Sequence, residues 1–322
     1  MEIFGLTLTQ MLTMFTLILV GYIIRKNKIL PDNADNVIAK IETYIFGPML
    51  LLYVQSTQCT IEAFKKDYVL MLYGLTIAFC AVLLSYPLSR LFVRKANGNP
   101  KLEYSRNVYR YALSFGNYGF MGLFIVKHIF GDEMLYKYTL FFSLIEMLCL
   151  VWGLYVLVPK DQNASLLGNL KKGLLKPQVI ALFSGIVLGL TGLGKLIPVF
   201  LSNALKSAGD CYGPTAMVLA GFIIGGYNFK EIIVNKKVYL VSLFRLILIP
   251  SLIMGVLMLL GTSKEIMTLA LITFSTPVGM NTIVFPAAFG GDPKTGASMT
   301  MVSSILSLIT LPLMYLFYIV LL

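Results

Sequence analysis

A glycine-rich stretch with one amide side chain lies inside a segment that is apolar enough to cross a membrane. It reads SFGNYGFMG and contains Gly116, Asn117, Gly119 and Gly122. Each glycine costs a helix interior about 1 kcal/mol relative to alanine, and an amide in hydrocarbon needs hydrogen-bond partners. A break in the helix accounts for both features, because unwound backbone is tolerated at membrane depth where it lines a cavity or is buried in protein. The stretch therefore predicts a broken helix with Asn117 beside the break.

A second stretch, STPVGMNT (275–282), is equally rich in Gly, Pro and polar residues and predicts a second broken helix. The second half of a broken helix begins with unpaired N–H groups and the positive end of the helix dipole. Two such ends that point at one place form an anion site without a buried lysine. The residues predicted to bind the substrate, a small organic anion such as a carboxylate, are Asn117, Tyr118, Gly119, Pro277, Gly279, Asn281 and Thr282. The alternative is that both breaks are packing kinks, since Gly and Pro are common in membrane helices.

Ionisable residues inside apolar segments are the next candidates for function, because each costs roughly 2.5–3.5 kcal/mol at the membrane centre on insertion scales. A carboxylate exposed to alternating sides can carry a proton across, so Glu42, Glu146 and Asp210 are candidates for coupling to an ion. Arg245 is interpreted either as the partner of a glutamate or as a side chain that snorkels to the headgroups. Coupling to a proton or to a sodium ion stays open.

Two prolines are predicted to kink their helices, because proline removes a backbone donor and clashes with the preceding turn. They are Pro48 and Pro214, which lie in similar sequences, FGPML and YGPTA. Lining of a shared cavity and simple kinking are equally good interpretations of this pair.

Residues for catalysis or metal binding are scarce. His128 is the single histidine, so a histidine metal site or a histidine-based triad is not supported. The four cysteines lack metal-type spacing and are interpreted as packing residues. We therefore predict no catalytic residue, no metal site and no cofactor, and an enzyme embedded in the membrane is disfavoured.

The composition is that of a polytopic membrane protein. Of 322 residues, 57% are hydrophobic and 13% are charged, and the mean hydropathy is +0.81. The net charge of +11 comes from Lys and Arg in short turns between apolar segments. This placement indicates membrane topology rather than binding to nucleic acid. The bilayer is the expected environment.

About 20 apolar residues span a bilayer as a helix, and on that rule the sequence predicts an all-α protein with ten membrane spans. Most of the 26 Lys and Arg residues lie in the loops that follow the odd-numbered spans. Such loops stay in the cytoplasm, so both termini are expected outside the cell membrane. The predicted spans run near residues 4–24, 36–56, 68–92, 106–127, 134–157, 178–194, 204–226, 238–260, 265–289 and 294–321.

The two halves of the chain resemble each other weakly. Shifted by 160 residues, Gly119 falls on Gly279 and Ser143 falls on Ser303. Five spans is an odd number, so the second copy is inverted, which is a pattern of secondary transporters. The predicted organisation is a first five-helix repeat at residues 1–157, a short cytoplasmic connecting loop at 158–177 and a second, inverted repeat at 178–322.

The segments FGNYGFMGLFI…FGDE and TPVGMNTIVFPAAFGGDP, which runs on to LITLPLMY, resemble the auxin efflux carrier family in its bacterial branch of malate permeases. The resemblance covers the whole chain. It implies a bile-acid-transporter-like fold in which broken helices four and nine cross at the substrate site, with spans one, two, six and seven as a scaffold and the others as a transport domain. Asn117, Gly119, Pro277, Gly279 and Asn281 would form the crossing. Relatives also suggest a homodimer.

One position departs from the resemblance. Bacterial relatives usually carry proline after GFMGL, where this sequence has Phe124. The plant branch moves indole-3-acetate and bacterial members are tied to malate and other small carboxylates, so the resemblance does not name the substrate. The expected function is a secondary carrier of a small organic anion, and the alternative is a sensor or receptor that does not transport.

Overall fold

The computed structural model describes residues 2–94, 98–157, 174–226, 235–288 and 294–321. Within these residues the chain is helical, and its β-structure is a single isolated bridge between Gly116 and Val278. The α-helices, numbered in chain order, are α1 Glu2–Lys26, α2 Ala34–Ile41, α3 Gly47–Gln58, α4 Ile61–Asp67, α5 Val69–Phe92, α6 Pro100–Ser114, α7 Leu123–Leu157, α8 Pro177–Leu190, α9 Val199–Gly225, α10 Lys236–Leu243, α11 Ile249–Leu259, α12 Lys264–Ser275, α13 Asn281–Ala288 and α14 Lys294–Tyr315.

The all-helical prediction is confirmed for the described residues, and five of their helical segments are long and apolar enough to cross a membrane. These are Ala34–Gln58, Ile61–Phe92, Tyr118–Leu157, Lys236–Leu259 and Lys294–Ile319. The predicted spans 106–127 and 265–289 are interrupted, at residues 115–117 and 276–280. The ten-span inverted repeat therefore stays a prediction. Residues 158–173 of the predicted connecting loop lie outside the described part of the chain.

Helix starts follow from capping residues. The Asn99 side chain accepts hydrogen bonds from the backbone N–H groups of Lys101 and Leu102 at the start of α6, where Pro100 occupies the first helical turn. Ser263 accepts from the Ile266 N–H at the start of α12. Both side chains satisfy N–H groups that have no partner inside a helix.

Helix interruptions follow from glycine and proline. Gly131, with φ 78° and ψ −171°, divides α7 between the predicted fourth and fifth spans; this left-handed φ favours glycine. Pro48 follows a π-helical turn at Glu42–Phe46, whose wider winding accompanies the proline's missing N–H. Pro214, by contrast, lies inside α9, which runs from Val199 to Gly225.

The helices form two compact units. The first consists of Met1–Met71, Gly119–Ser143 and Leu174–Tyr227. In it, α1 packs along α9 and α3 packs along α8. Gly21 of α1 lies against the backbone of Val218, and Gly221 of α9 lies against the backbone of Ile18. The glycine pairs thus let helices approach backbone to backbone, as small residues do in membrane helices.

We expect Gly221→Ala to destabilise the first unit. Its new Cβ would lie 3.0 Å from the Ile18 Cα and closer still to the Ile18 carbonyl. Backbone cannot move aside as a side chain can, so the cost is about 1–3 kcal/mol. Gly255→Ala is the matched control, because a Cβ at Gly255 in α11 meets nothing within 4 Å and alanine favours the helix. Thermal unfolding in detergent checks both, and an equal midpoint for the two variants would contradict this packing.

The second unit consists of Leu72–Tyr118, Leu144–Gly173 and Asn228–Leu322. Its core contains large apolar side chains of α6, α7, α12 and α14, among them Leu113, Ile145, Phe274 and Met299. Aromatic rings extend this core: the Tyr111 ring stacks on Trp152 at 6.1 Å between centroids. The two broken helices meet in this unit.

Candidate functional site

The two predicted breaks are present and pair with each other. The helix α6 ends at Ser114 and a π-helical turn begins at Tyr118, while α12 ends at Ser275 and α13 begins at Asn281. We call the non-helical residues between them, 115–117 and 276–280, the crossover. Across it, the Asn117 N–H donates to the Pro277 carbonyl at 2.8 Å and the Gly279 N–H donates to the Phe115 carbonyl at 3.4 Å. The two breaks thus satisfy each other's backbone groups as a short antiparallel pair.

Glycine is required in the crossover because the two backbones touch. A Cβ on Gly279 would lie 2.9 Å from the Gly116 carbonyl oxygen, and a Cβ on Gly116 would overlap Thr276 and the guanidinium of Arg245. Their lack of a side chain is what allows the pairing. The Val278 N–H, between the two contacts, donates to the Ser303 hydroxyl of α14 at 3.0 Å.

A buried arginine joins the ends of the two first half-helices. Arg245 is 0% exposed. Its guanidinium donates to the carbonyls of Leu113 and Ser114 at 3.5 and 3.2 Å, at the end of α6. It also donates to the carbonyls of Thr273 and Thr276 at 3.3 and 3.2 Å, at the end of α12. The expectation that Arg245 snorkels to the headgroups is therefore wrong, since its backbone partners lie inside the protein.

Most polar side chains of the predicted site are engaged by the protein. The Tyr118 hydroxyl donates to the Glu146 carboxylate at 2.7 Å. The Asn281 amide donates to the Tyr111 hydroxyl at 2.9 Å, and the Thr282 hydroxyl donates to the Gly279 carbonyl at 2.8 Å. These bonds fix the residues around the crossover.

Asn117 is the exception. It is 8% exposed, and within the described part of the chain its side-chain amide has no hydrogen-bond partner, although its backbone N–H does. The amide is not among the fully buried polar groups that lack a partner in the described residues, so water or a ligand can reach it. It lies directly before the helical turn that starts at Tyr118. There the amide N–H groups are free to donate to an anion.

Comparison with known protein families also indicates membrane transport. Residues 6–315 match the family described as membrane transport protein, the auxin efflux carrier family domain. The chain belongs to the auxin efflux carrier family. No curated protein sequence matches the chain.

The match confirms the family resemblance and makes this chain a membrane transport protein. Auxin efflux carrier family members are transporters, so the chain is grouped with transport proteins rather than with enzymes. Within the described residues, no group of three or more His, Cys, Asp and Glu side chains is placed to hold a metal ion.

Gly119 is the one residue of the predicted substrate-binding set that belongs to the first unit of this auxin efflux carrier family member. Its carbonyl accepts a hydrogen bond from the Tyr212 hydroxyl of α9 at 3.3 Å. The Tyr212 ring also stacks on Phe120 at 5.6 Å between centroids. The segment that begins at Gly119 is thus held against α9 within this unit.

Phe124, the position that departs from the family resemblance, is a packing residue of the first unit. It is 2% exposed, and its ring lies on Gly213 of α9, where a Cβ would overlap it. On its other side the ring stacks on His128 at 4.2 Å. A large ring therefore fills the space beside Gly213 and Pro214, where α9 has no side chain at Gly213.

The three candidate coupling carboxylates have different surroundings. Asp210 of α9 forms an ion pair with Lys127. Glu42 is fully buried in the π-helical turn of the first unit, and neither of its carboxylate oxygens has a hydrogen-bond partner among the described residues. Glu146 is the one hydrogen-bonded to a predicted substrate-binding residue, Tyr118.

Sequence reasoning missed three residues that support the crossover. Ser303, Tyr111 and Cys149 are each 0% exposed. The Tyr111 hydroxyl and the Cys149 thiol share a 2.7 Å contact, and both accept from the Asn281 amide. Tyr and Cys are common in protein cores, so the residue types of Tyr111 and Cys149 did not indicate a role at the crossover. Ser303 could have been found from the sequence, because it is the repeat mate of Ser143.

Proposed function

We propose that this protein is a secondary carrier of a small organic anion, a carboxylate such as malate or an auxin-like acid. The observation that carries the proposal is the position of Asn117, which is 8% exposed and lies directly before the helical turn at Tyr118, with an amide that a ligand can reach. An amide and helix N–H groups are donors, and together they suit a carboxylate. Tyr118, Gly119, Pro277, Gly279, Asn281 and Thr282 complete the site by shaping and bracing the two breaks.

The architecture proposed for this function is that of two inverted five-helix repeats in the cytoplasmic membrane, with both termini outside. The paired interruptions support it, since discontinuous helices at the repeat interface form the substrate site in such carriers. The crossover would be exposed to alternate sides by an elevator-like movement, and two copies would form a homodimer. The membrane potential alone can drive export, since one negative charge gains about 2.3 kcal/mol per 100 mV.

Glu146 is the carboxylate that we propose for ion coupling. Glu146 is hydrogen-bonded to Tyr118, the residue that follows Asn117 in the chain. A single carboxylate with a hydroxyl partner suits a proton better than sodium, because hard cations prefer several oxygen ligands. Asp210 is held by Lys127, and Glu42 is retained as a second candidate because it is buried without a partner.

A thermal-stability screen of the purified protein tests the proposal. Malate, lactate, pyruvate, succinate, citrate and indole-3-acetate are compared, each with and without sodium. A ligand that binds only the folded state stabilises it by about 2.7 kcal/mol at about a hundred times its dissociation constant. We expect at least one carboxylate to raise the unfolding temperature. A protein that responds to none of them would make the crossover a folding feature.

A further inference from the structure

The strongest unassigned feature of the second unit is the buried charge of Arg245. Its guanidinium binds four backbone carbonyls, two from the end of α6 and two from the end of α12. Phe274 adds a ring whose centroid is 5.9 Å from the guanidinium carbon. An arginine is expensive to bury at membrane depth, and packing alone does not need a charge.

The helix dipoles explain where this charge acts. A helix end carries about half an elementary charge, negative at the C-terminus and positive at the N-terminus. Two half-helices of the second unit, α6 and α12, end at the crossover, and α13 of the same unit begins there at Asn281. With Arg245 bound to both negative ends, the positive end of α13 is left to act on a ligand.

We propose that Arg245 places a positive charge beside the crossover and so makes the site prefer a monocarboxylate anion to its neutral amide. It acts as a positioning residue through the backbone, and it does not touch the anion. Glu146, which is hydrogen-bonded to Tyr118, is an opposing charge in the same unit. This inference rests on the proposed function.

The test compares each acid with its neutral amide: lactate with lactamide and indole-3-acetate with indole-3-acetamide. The ratio of the two affinities reports charge preference, whereas general damage to the fold weakens acid and amide alike. We expect native protein to prefer an acid at least about 10-fold, Arg245→Lys to keep part of this preference and Arg245→Met to lose it. The matched control is Ser303→Ala, which removes a neutral bond to the crossover at Val278 and should weaken both ligands equally.

A folded Arg245→Met protein that keeps the native acid-to-amide ratio would overturn this inference alone. Native protein that binds neither acid would remove the proposed function together with it. If Arg245→Met does not fold, Arg245→Gln replaces it, because glutamine keeps N–H donors for the backbone carbonyls and removes the charge. The same fall in the ratio is then expected, and an unchanged ratio would again count against Arg245.

Discussion

Replacing Asn117 with aspartate is expected to weaken carboxylate binding by about 100-fold or more. The substitution keeps the shape of the side chain, removes its two amide donors and adds a negative charge. Losing a hydrogen bond to a charged group costs about 1.5–3 kcal/mol, and repulsion adds to this loss. A carboxylate at membrane depth also costs the fold roughly 2.5–3.5 kcal/mol on insertion scales, so the thermal unfolding of Asn117→Asp is measured beside that of native protein. Isothermal titration of the carboxylate identified by the stability screen measures the effect.

The control for this prediction is the same change at the other end of α6. Asn99 caps that helix through Lys101 and Leu102, and aspartate is an equally good capping residue. Asn99→Asp should therefore bind the carboxylate as native protein does. Equal affinities of the Asn117→Asp and Asn99→Asp proteins would show that the anion does not contact Asn117.

Replacing Glu146 with glutamine is expected to tighten carboxylate binding. Glu146 is hydrogen-bonded to Tyr118, which follows Asn117 in the chain, so its negative charge opposes a bound anion. Two like charges about 8 Å apart repel each other by about 2 kcal/mol at an effective dielectric constant of about 20, and glutamine keeps the shape of the side chain without this repulsion. Isothermal titration of the native and Glu146→Gln proteins with the same carboxylate measures the difference.

Two controls make the Glu146 result specific. Tyr118→Phe removes the hydroxyl that donates to this carboxylate and leaves the negative charge in place, so it should not tighten binding. Glu133→Gln removes an exposed partner of Lys137, an ion pair worth little, and should bind the carboxylate as native protein does. An affinity of Glu146→Gln equal to that of native protein would show that this carboxylate does not act on the anion.

The breaks in the helices could be predicted because their signal lies in residue types. Gly116, Gly279 and Pro277 are costly inside a helix, so a cluster of them marks a break before any partner is known. The bounds of the long helices follow for a similar reason, since twenty apolar residues in a row have few other structures in a membrane. Gly131 interrupts α7 by its left-handed backbone, and glycine is the residue type that favours this conformation.

The roles of single polar side chains could not be predicted, because the sequence gives their type and not their partner. Asn281 and Thr282 have the donors that a carboxylate needs, but the structure commits them to Tyr111 and Gly279. Arg245 illustrates the same limit. Its partners are backbone carbonyls of two distant segments, and a carbonyl group has no signature in a sequence. The pairing of two distant segments belongs to the tertiary structure, and it determines which side-chain amide is left to bind a ligand.

The most direct test of the carrier proposal is counterflow in proteoliposomes. Vesicles loaded with the unlabelled carboxylate are diluted into a trace of the radiolabelled form, and an alternating-access carrier accumulates the label transiently as it exchanges one molecule for another. We predict saturable accumulation with native protein and almost none with Asn117→Asp. Binding without any flux would contradict the account and favour a sensor, and flux without transient accumulation would indicate a channel.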